Sequence, residues 1–93
     1  MTITEGKTDT EKKTAQQPPW KVLLHNDDHH EMNYVVASLC KAVPGLDAEE
    51  ATRIMLEAHL QGVGLVIVCH REQAEYYRDR IQTFGLGCTI EAE

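Results

Sequence analysis

Apolar residues recur with regular spacing from residue 20 to the end of the chain, and this spacing predicts six elements. Alternation predicts strands at both ends, while apolar residues at every third or fourth position predict helices. A continuous apolar run over 63–69 predicts a central strand that is covered on at least one face. The predicted elements are, in order, a strand over 20–25, helices over 32–43 and 48–61, a strand over 63–69, a helix over 71–84 and a strand over 86–92.

Residues at the element boundaries support this order. Pro44-Gly45 ends the first helix, Asp47 is the predicted N-cap of the second, and Gly62 stops that helix. Three helices and three strands in so short a chain predict an α+β fold, a two-layer α/β sandwich. Its order is β-α-α-β-α-β, with a three-stranded antiparallel sheet and the helices on one face. Residues 1–17 are polar and predict a flexible N-terminal extension, so 18–93 form the core domain.

Composition narrows the classes of partner. The chain has 93 residues and a formal net charge of -6, which argues against a nucleic acid or an anionic membrane as the partner. Its cysteines, Cys40, Cys69 and Cys88, are odd in number and lie within apolar patterns, which favours free thiols in a reducing compartment. No apolar run approaches the length that spans a membrane. A cytoplasmic protein is expected.

The stretch from His25 to Met32 carries most of the candidate chemistry, since it places carboxylates, an amide and imidazoles between the first strand and the first helix. Histidine and aspartate are acceptable metal ligands, and His59 could approach from the second helix. However, no helix carries a pair of histidines four residues apart, so neither a metal nor another cofactor is expected. The cysteines occupy apolar positions, which does not suit a nucleophile. No enzymatic activity is therefore predicted.

A binding site remains. On the second helix His59 follows Met55 by one turn, on an otherwise apolar stripe, where a histidine is often simply a core residue with satisfied hydrogen bonds. The run Asn26-Asp27-Asp28 is likewise suited to capping the first helix and forming a turn. Together they indicate a further role, because acceptors from the turn and an imidazole could converge beside an apolar pocket. Such a pocket would suit a small cation attached to a hydrophobic group.

The same residues resemble a known family. Asn26-Asp27-Asp28, Met32 at the start of a helix, His59 with Gln61-Gly62, and Cys88-Thr89-Ile90-Glu91 are together similar to the ClpS family, over about residues 18–91. ClpS proteins are bacterial and plastid adaptors that deliver N-degron substrates to a AAA+ Clp ATPase, ClpA- or ClpC-like, and its protease. The resemblance implies the sandwich fold described above. It also implies binding of an N-terminal Phe, Tyr, Trp or Leu of a substrate protein.

The resemblance assigns a role to each candidate residue. It implies that Asn26 and His59 accept hydrogen bonds from the α-ammonium group and that Asp27 assists through water. Asp28 and His30 would border the entrance of the pocket. The cavity for the side chain would be lined by Met32, Val35, Met55, Ala58 and Leu86. Glu72 matches an acidic position that the family uses to dock on the ATPase, and the N-terminal extension would engage the ATPase pore.

The chain also departs from the family pattern. His29 and His30 stand where an aromatic residue and Thr are common, and Glu31 stands where Pro is usual. Tyr77 replaces a basic residue of the docking region, and its spacing with Ala74 and Ile81 predicts a partly packed side chain. Ala58 replaces a common Val, which predicts a larger pocket floor. The alternative reading is a ClpS-fold interaction module that docks on a partner without reading N-terminal residues.

Overall fold

The three-stranded sheet has its first strand at the centre. The computed structural model describes residues 18–93 of the protein. Its elements are β1 (Trp20–His25), α1 (Met32–Ala42), α2 (Ala48–Gln61), β2 (Val63–Cys69), α3 (Arg71–Thr83) and β3 (Cys88–Ala92). Both outer strands pair antiparallel with β1, which gives the order β2-β1-β3. The predicted α+β two-layer sandwich is confirmed, whereas the predicted extension over residues 1–17 lies outside the described residues.

One face of β1 forms the floor of the core. Val22 and Leu24 alternate on this face and are fully buried, as the period of two in the sequence predicts. Each helix contributes a fully buried side chain to the same core: Leu39 from α1, Ile54 from α2 and Ile81 from α3. Helices α2 and α3 pack directly on the sheet, and α1 packs on these two helices. Apolar burial, the dominant favourable term in folding, therefore joins the two layers.

The position of β2 corrects the sequence prediction, because β2 is an edge strand and β1 is the central one. Its pairing with β1 shifts register after Val22, so that Val66 has no partner on β1, as in a β-bulge. Val66 is buried, as Gly64 is two residues earlier, and the bulge allows Leu65 and Val68, three residues apart, both to be exposed. The continuous apolar run therefore reflects a bulged strand with two unequal faces. The run is not explained by a central position in the sheet, because β2 pairs with a strand on one side only.

The ends of α2 agree closely with the sequence. The side chain of Asp47 accepts a hydrogen bond from the backbone N–H of Glu50 at 2.8 Å, as predicted for an N-cap residue. At the other end Gly62 has φ +91°, and its N–H donates to the carbonyl of Ala58. The helix thus ends where β2 begins, which places its last turn beside the sheet.

The last loop is longer than predicted. Helix α3 ends at Thr83 and β3 begins at Cys88, not at Leu86. The N–H of Phe84 donates to the carbonyl of Ile81, which tightens the end of the helix. Gly85 then turns the chain with φ +83°. Leu86 is buried in this loop before the pairing with β1 begins.

Candidate functional site

A cavity of about 210 Å³ opens where β1 ends, between the β1–α1 turn and helix α2. Its lining residues are Leu24, Asn26, Asp27, Asp28, His30, Met32, Val35, Met55, Ala58 and His59. The structure therefore brings together nine of the ten residues that the sequence analysis proposed for ligand binding. They come from two separate stretches of the chain, residues 26–35 and 55–59, and only the fold places them around one space.

One of the ten, Leu86, is not among the lining residues. It lies in the loop before β3 and is 3% exposed. Leu24 lines the cavity and was missed by sequence reasoning. The sequence pattern could have indicated Leu24, because it is the last inward-facing residue of β1 before the turn.

Asp27 organises the turn between β1 and α1. Its Oδ1 accepts hydrogen bonds from the backbone N–H groups of His29 and His30 at 2.7 and 2.8 Å. Its Oδ2 accepts one from Nδ1 of His30 at 2.7 Å. Burial by itself would raise the pKa of Asp27, but these hydrogen bonds and the nearby imidazole outweigh it and lower the pKa below its ordinary value. The cavity therefore holds an ionised carboxylate at neutral pH.

The expectation that this turn also caps α1 is wrong. The N-cap residue of α1 is Glu31, which makes no side-chain cap hydrogen bond. The oxygens of Asp27 are occupied by N–H groups that precede the helix, so they do not reach its first turn. The turn is thus stabilised internally, as an Asx-type turn, and its function is separate from that of starting the helix.

The amide of Asn26 has a defined orientation. Its Nδ2 donates to Oδ1 of Asp28 at 3.2 Å. Because a carboxylate only accepts, the amide nitrogen must face Asp28. The Oδ1 atom of Asn26 has no hydrogen bond to any other residue in 18–93 and can accept from a ligand. The backbone N–H of Asn26 donates to the carbonyl of Gly62 at 3.0 Å, which ties the turn to the end of α2. An acceptor from the turn is thereby fixed close to the helix that carries His59.

His59 lies in the last turn of α2 and is exposed at the edge of the cavity. The alternative that it is a satisfied core residue is therefore excluded. The C-terminal end of a helix carries the negative end of its dipole, which favours a cation nearby. Met55, one turn earlier, and Ala58 are buried and form the wall below it. Helix α2 thus supplies a polar group at the mouth and apolar surface beneath it.

The chemistry of the cavity follows from this division. Its mouth presents the carboxylates of Asp27 and Asp28, the amide oxygen of Asn26 and the imidazole of His59. Its interior is apolar, formed by side chains that belong to the core or border it: Leu24, Val35, Met55 and Ala58, with Met32 half-exposed at the rim. Hydrogen-bond acceptors above an apolar pocket suit a ligand whose cationic donor is attached to a hydrophobic group.

Other chemistry finds little support in residues 18–93. Within this range no group of three or more His, Cys, Asp or Glu residues is arranged to hold a metal ion. Burial raises the pKa of Cys69 and raises that of Cys88 to about 12, so neither is an activated thiolate. None of the described helices is both long and apolar enough to cross a membrane.

Comparison with known proteins identifies the family. The model of a family described as ATP-dependent Clp protease adaptor protein ClpS matches residues 15–89. The chain belongs to the ClpS family. The ClpS adapter protein of Synechococcus elongatus is 46% identical over 92 residues, which cover 99% of this chain and 95% of the relative. A chloroplastic ClpS-family adapter of Arabidopsis thaliana is 37% identical over 89 residues, which cover 96% of this chain and 56% of the relative.

A solved ClpS structure has the same fold. The structure of Agrobacterium tumefaciens ClpS2 bound to L-phenylalaninamide has a TM-score of 0.78 and 28% sequence identity. The match covers 84% of this chain and 100% of the other. The ligand of that protein combines a free α-amino group with an aromatic side chain.

The predicted docking position does not border the cavity. Glu72 lies exposed in the first turn of α3 and does not line the cavity. On the same helix Tyr77 is half-buried against the core, as its spacing with Ala74 and Ile81 predicted. The role of Glu72 in docking stays a prediction.

Proposed function

We propose that the protein is a non-enzymatic adaptor that binds other proteins through a hydrophobic N-terminal residue, Phe, Tyr, Trp or Leu. It delivers them to a AAA+ Clp unfoldase, ClpA- or ClpC-like, for degradation. One observation carries the proposal: a cavity of about 210 Å³ combines an apolar interior with a mouth rich in hydrogen-bond acceptors. An apolar protein cavity of about 150 Å³ is enough to bind benzene, so the space is adequate for an aromatic side chain.

The α-ammonium group would be held by acceptors that the structure orients. An amino terminus with a pKa of about 7.7–8.0 is largely protonated at neutral pH and offers three donors. The amide oxygen of Asn26 and an unprotonated ring nitrogen of His59 accept two of them, and Asp27 assists through water. Asp28 holds the amide of Asn26 in the accepting orientation at 3.2 Å. The negative charge at this mouth favours a cation over a neutral amide.

The delivery step involves other parts of the chain. Glu72 on the exposed start of α3 is proposed to contact the ATPase, and residues 1–17 are proposed to engage its pore. A cytoplasmic location belongs to the same proposal, and it is supported by the three cysteines, which are all free.

The first test compares peptides that begin with free Phe, acetylated Phe, Leu, Ile or Arg, titrated against the protein by fluorescence anisotropy. Free Phe and Leu peptides should bind, and acetylation of Phe should weaken binding about 100-fold or more, because it removes the charge and leaves acceptors without donors. Peptides beginning with the β-branched Ile or the charged Arg should bind poorly. Equal affinity for free and acetylated Phe would instead indicate an interaction module that does not read N-terminal residues.

Ala58 is expected to set the size of side chain that the cavity accepts. It lines the cavity and is 2% exposed, so the two methyl groups added by Ala58→Val must occupy ligand space. Peptides that begin with Phe or Trp should therefore bind about tenfold more weakly to the variant, while Leu peptides lose less. The matched control is Ala48→Val, at the exposed first residue of the same helix, which should leave the affinities unchanged. Tighter binding of Phe and Trp peptides to the Ala58→Val variant would contradict this role.

A further inference from the structure

His30 is held in one position by contacts on several sides. Its Nδ1 atom is 2.7 Å from Oδ2 of Asp27, and its side chain is 33% exposed. The ring stacks on that of Tyr34 in the first turn of α1, with centroids 4.8 Å apart and planes inclined by 15°. The imidazole therefore bridges the carboxylate of the turn and an aromatic ring of the first helix.

The loop between α3 and β3 closes the other side of the imidazole. The hydroxyl of Tyr34 donates to the carbonyl of Phe84 at 2.7 Å, which ties this loop to α1. A Cβ atom at Gly85 would lie 3.4 Å from Cε1 and 3.5 Å from Nε2 of His30. The glycine thus lies next to the Cε1–Nε2 edge of the ring.

These contacts determine how Asp27 can receive a ligand. A carboxylate has about four acceptor positions on its two oxygens. Both positions on Oδ1 are used by the N–H groups of His29 and His30, and one on Oδ2 is used by the imidazole. Since Asp27 only accepts, the proton must be on Nδ1 of His30. A single acceptor position on Oδ2 remains for a ligand or for a bound water.

We propose that His30 is a positioning residue of the amino-terminal site. Its Nδ1–H group holds Oδ2 of Asp27 so that the one remaining acceptor position serves the α-ammonium group, directly or through a water. This inference rests on the proposed function. It gives His30 a role in orienting Asp27, in addition to its position at the entrance of the pocket. His30 affects binding through its hydrogen bond to Asp27, and the size of its ring contributes less to binding.

Two substitutions separate the hydrogen bond from the ring. His30→Asn keeps an N–H donor at the position of Nδ1 but removes the ring, whereas His30→Phe keeps a ring that can stack on Tyr34 but has no donor. With a free Phe peptide, we expect His30→Phe to weaken binding about tenfold and His30→Asn to stay within about threefold of the wild type. Melting temperatures establish that both variants are folded. If His30→Phe does not fold, His30→Leu provides the variant without a donor.

A double-mutant cycle with Asp27→Asn tests the route of the effect. If His30 acts through Asp27, His30→Phe should cause no further loss of affinity in the Asp27→Asn background. Additive losses, or a larger loss for His30→Asn than for His30→Phe, would overturn the inference and indicate a packing role. The same titrations include acetylated Phe with the wild type. Equal binding of free and acetylated Phe there would overturn the proposed function itself, and this result is distinguishable from a failure of the cycle alone.

Discussion

His59→Ala should weaken the binding of a peptide with a free N-terminal Phe about 10- to 150-fold, which corresponds to the loss of one hydrogen bond to a charged group. The cause is the removal of an acceptor at the mouth of the cavity, while the apolar wall formed by Met55 and Ala58 is retained. Asn26→Ala should produce a loss of similar size, because it removes the other acceptor. Isothermal titration calorimetry or fluorescence anisotropy measures both effects.

The matched control for this prediction is His29→Ala. His29 lies in the same turn and is exposed, and its hydrogen bond to Asp27 comes from the backbone, which alanine retains. Its side chain does not line the cavity. Affinity should therefore change by no more than about twofold. A loss with His29→Ala as large as that with His59→Ala would show that the imidazole of His59 has no specific role.

Gly64→Ala should destabilise the fold more than any surface substitution in the same strand. A Cβ atom at this position would lie 2.5 Å from the carbonyl oxygen of Ile54 and 3.1 Å from the backbone nitrogen of Ala58. Both are backbone atoms of α2, so the whole helix must move away from β2. We expect a loss of about 2–3 kcal/mol in the free energy of unfolding, or a fall of about 10–20 °C in the melting temperature.

Gly87→Ala is the control for this prediction, since its added Cβ would meet only Cβ of His25 at an ordinary 3.4 Å. That variant should be nearly as stable as the wild type, or slightly more stable through reduced chain entropy. Movement of α2 in the Gly64→Ala variant should also displace His59 and weaken peptide binding. Equal melting temperatures for the two variants would contradict the close approach of α2 to β2.

The local features of the fold were readable from the sequence because short-range interactions determine them. Alternation identified β1 with its correct bounds, and Asp47 and Gly62 marked the ends of α2 through capping and a left-handed turn. The start of the last strand was predicted less accurately, because it depends on where pairing with β1 begins. Leu86 has a strand-like pattern but lies in the loop.

Part of the site could also be predicted from the sequence, because local patterns mark it. The β1–α1 turn and the stripe with Met55 and His59 were recognisable as polar groups next to apolar ones, and the resemblance to the ClpS family joined them. The absence of Leu86 from the lining could not be predicted from the sequence, since it depends on how α2 and the turn meet at the end of β1. Whether His59 was buried or exposed was also undecided until the helix was placed.

By itself, the sequence determined the number, order and approximate bounds of the six elements, and the polar residue types that meet at the mouth of the cavity. Only the tertiary structure decided that β1 is the central strand, that Val66 lies in a bulge, and that Asp27 pairs with His30 instead of capping α1. The physical reason is the range of the interactions. Periodicity and caps act over a few residues, whereas strand order and the sharing of a carboxylate's acceptor positions depend on which groups the complete fold brings together.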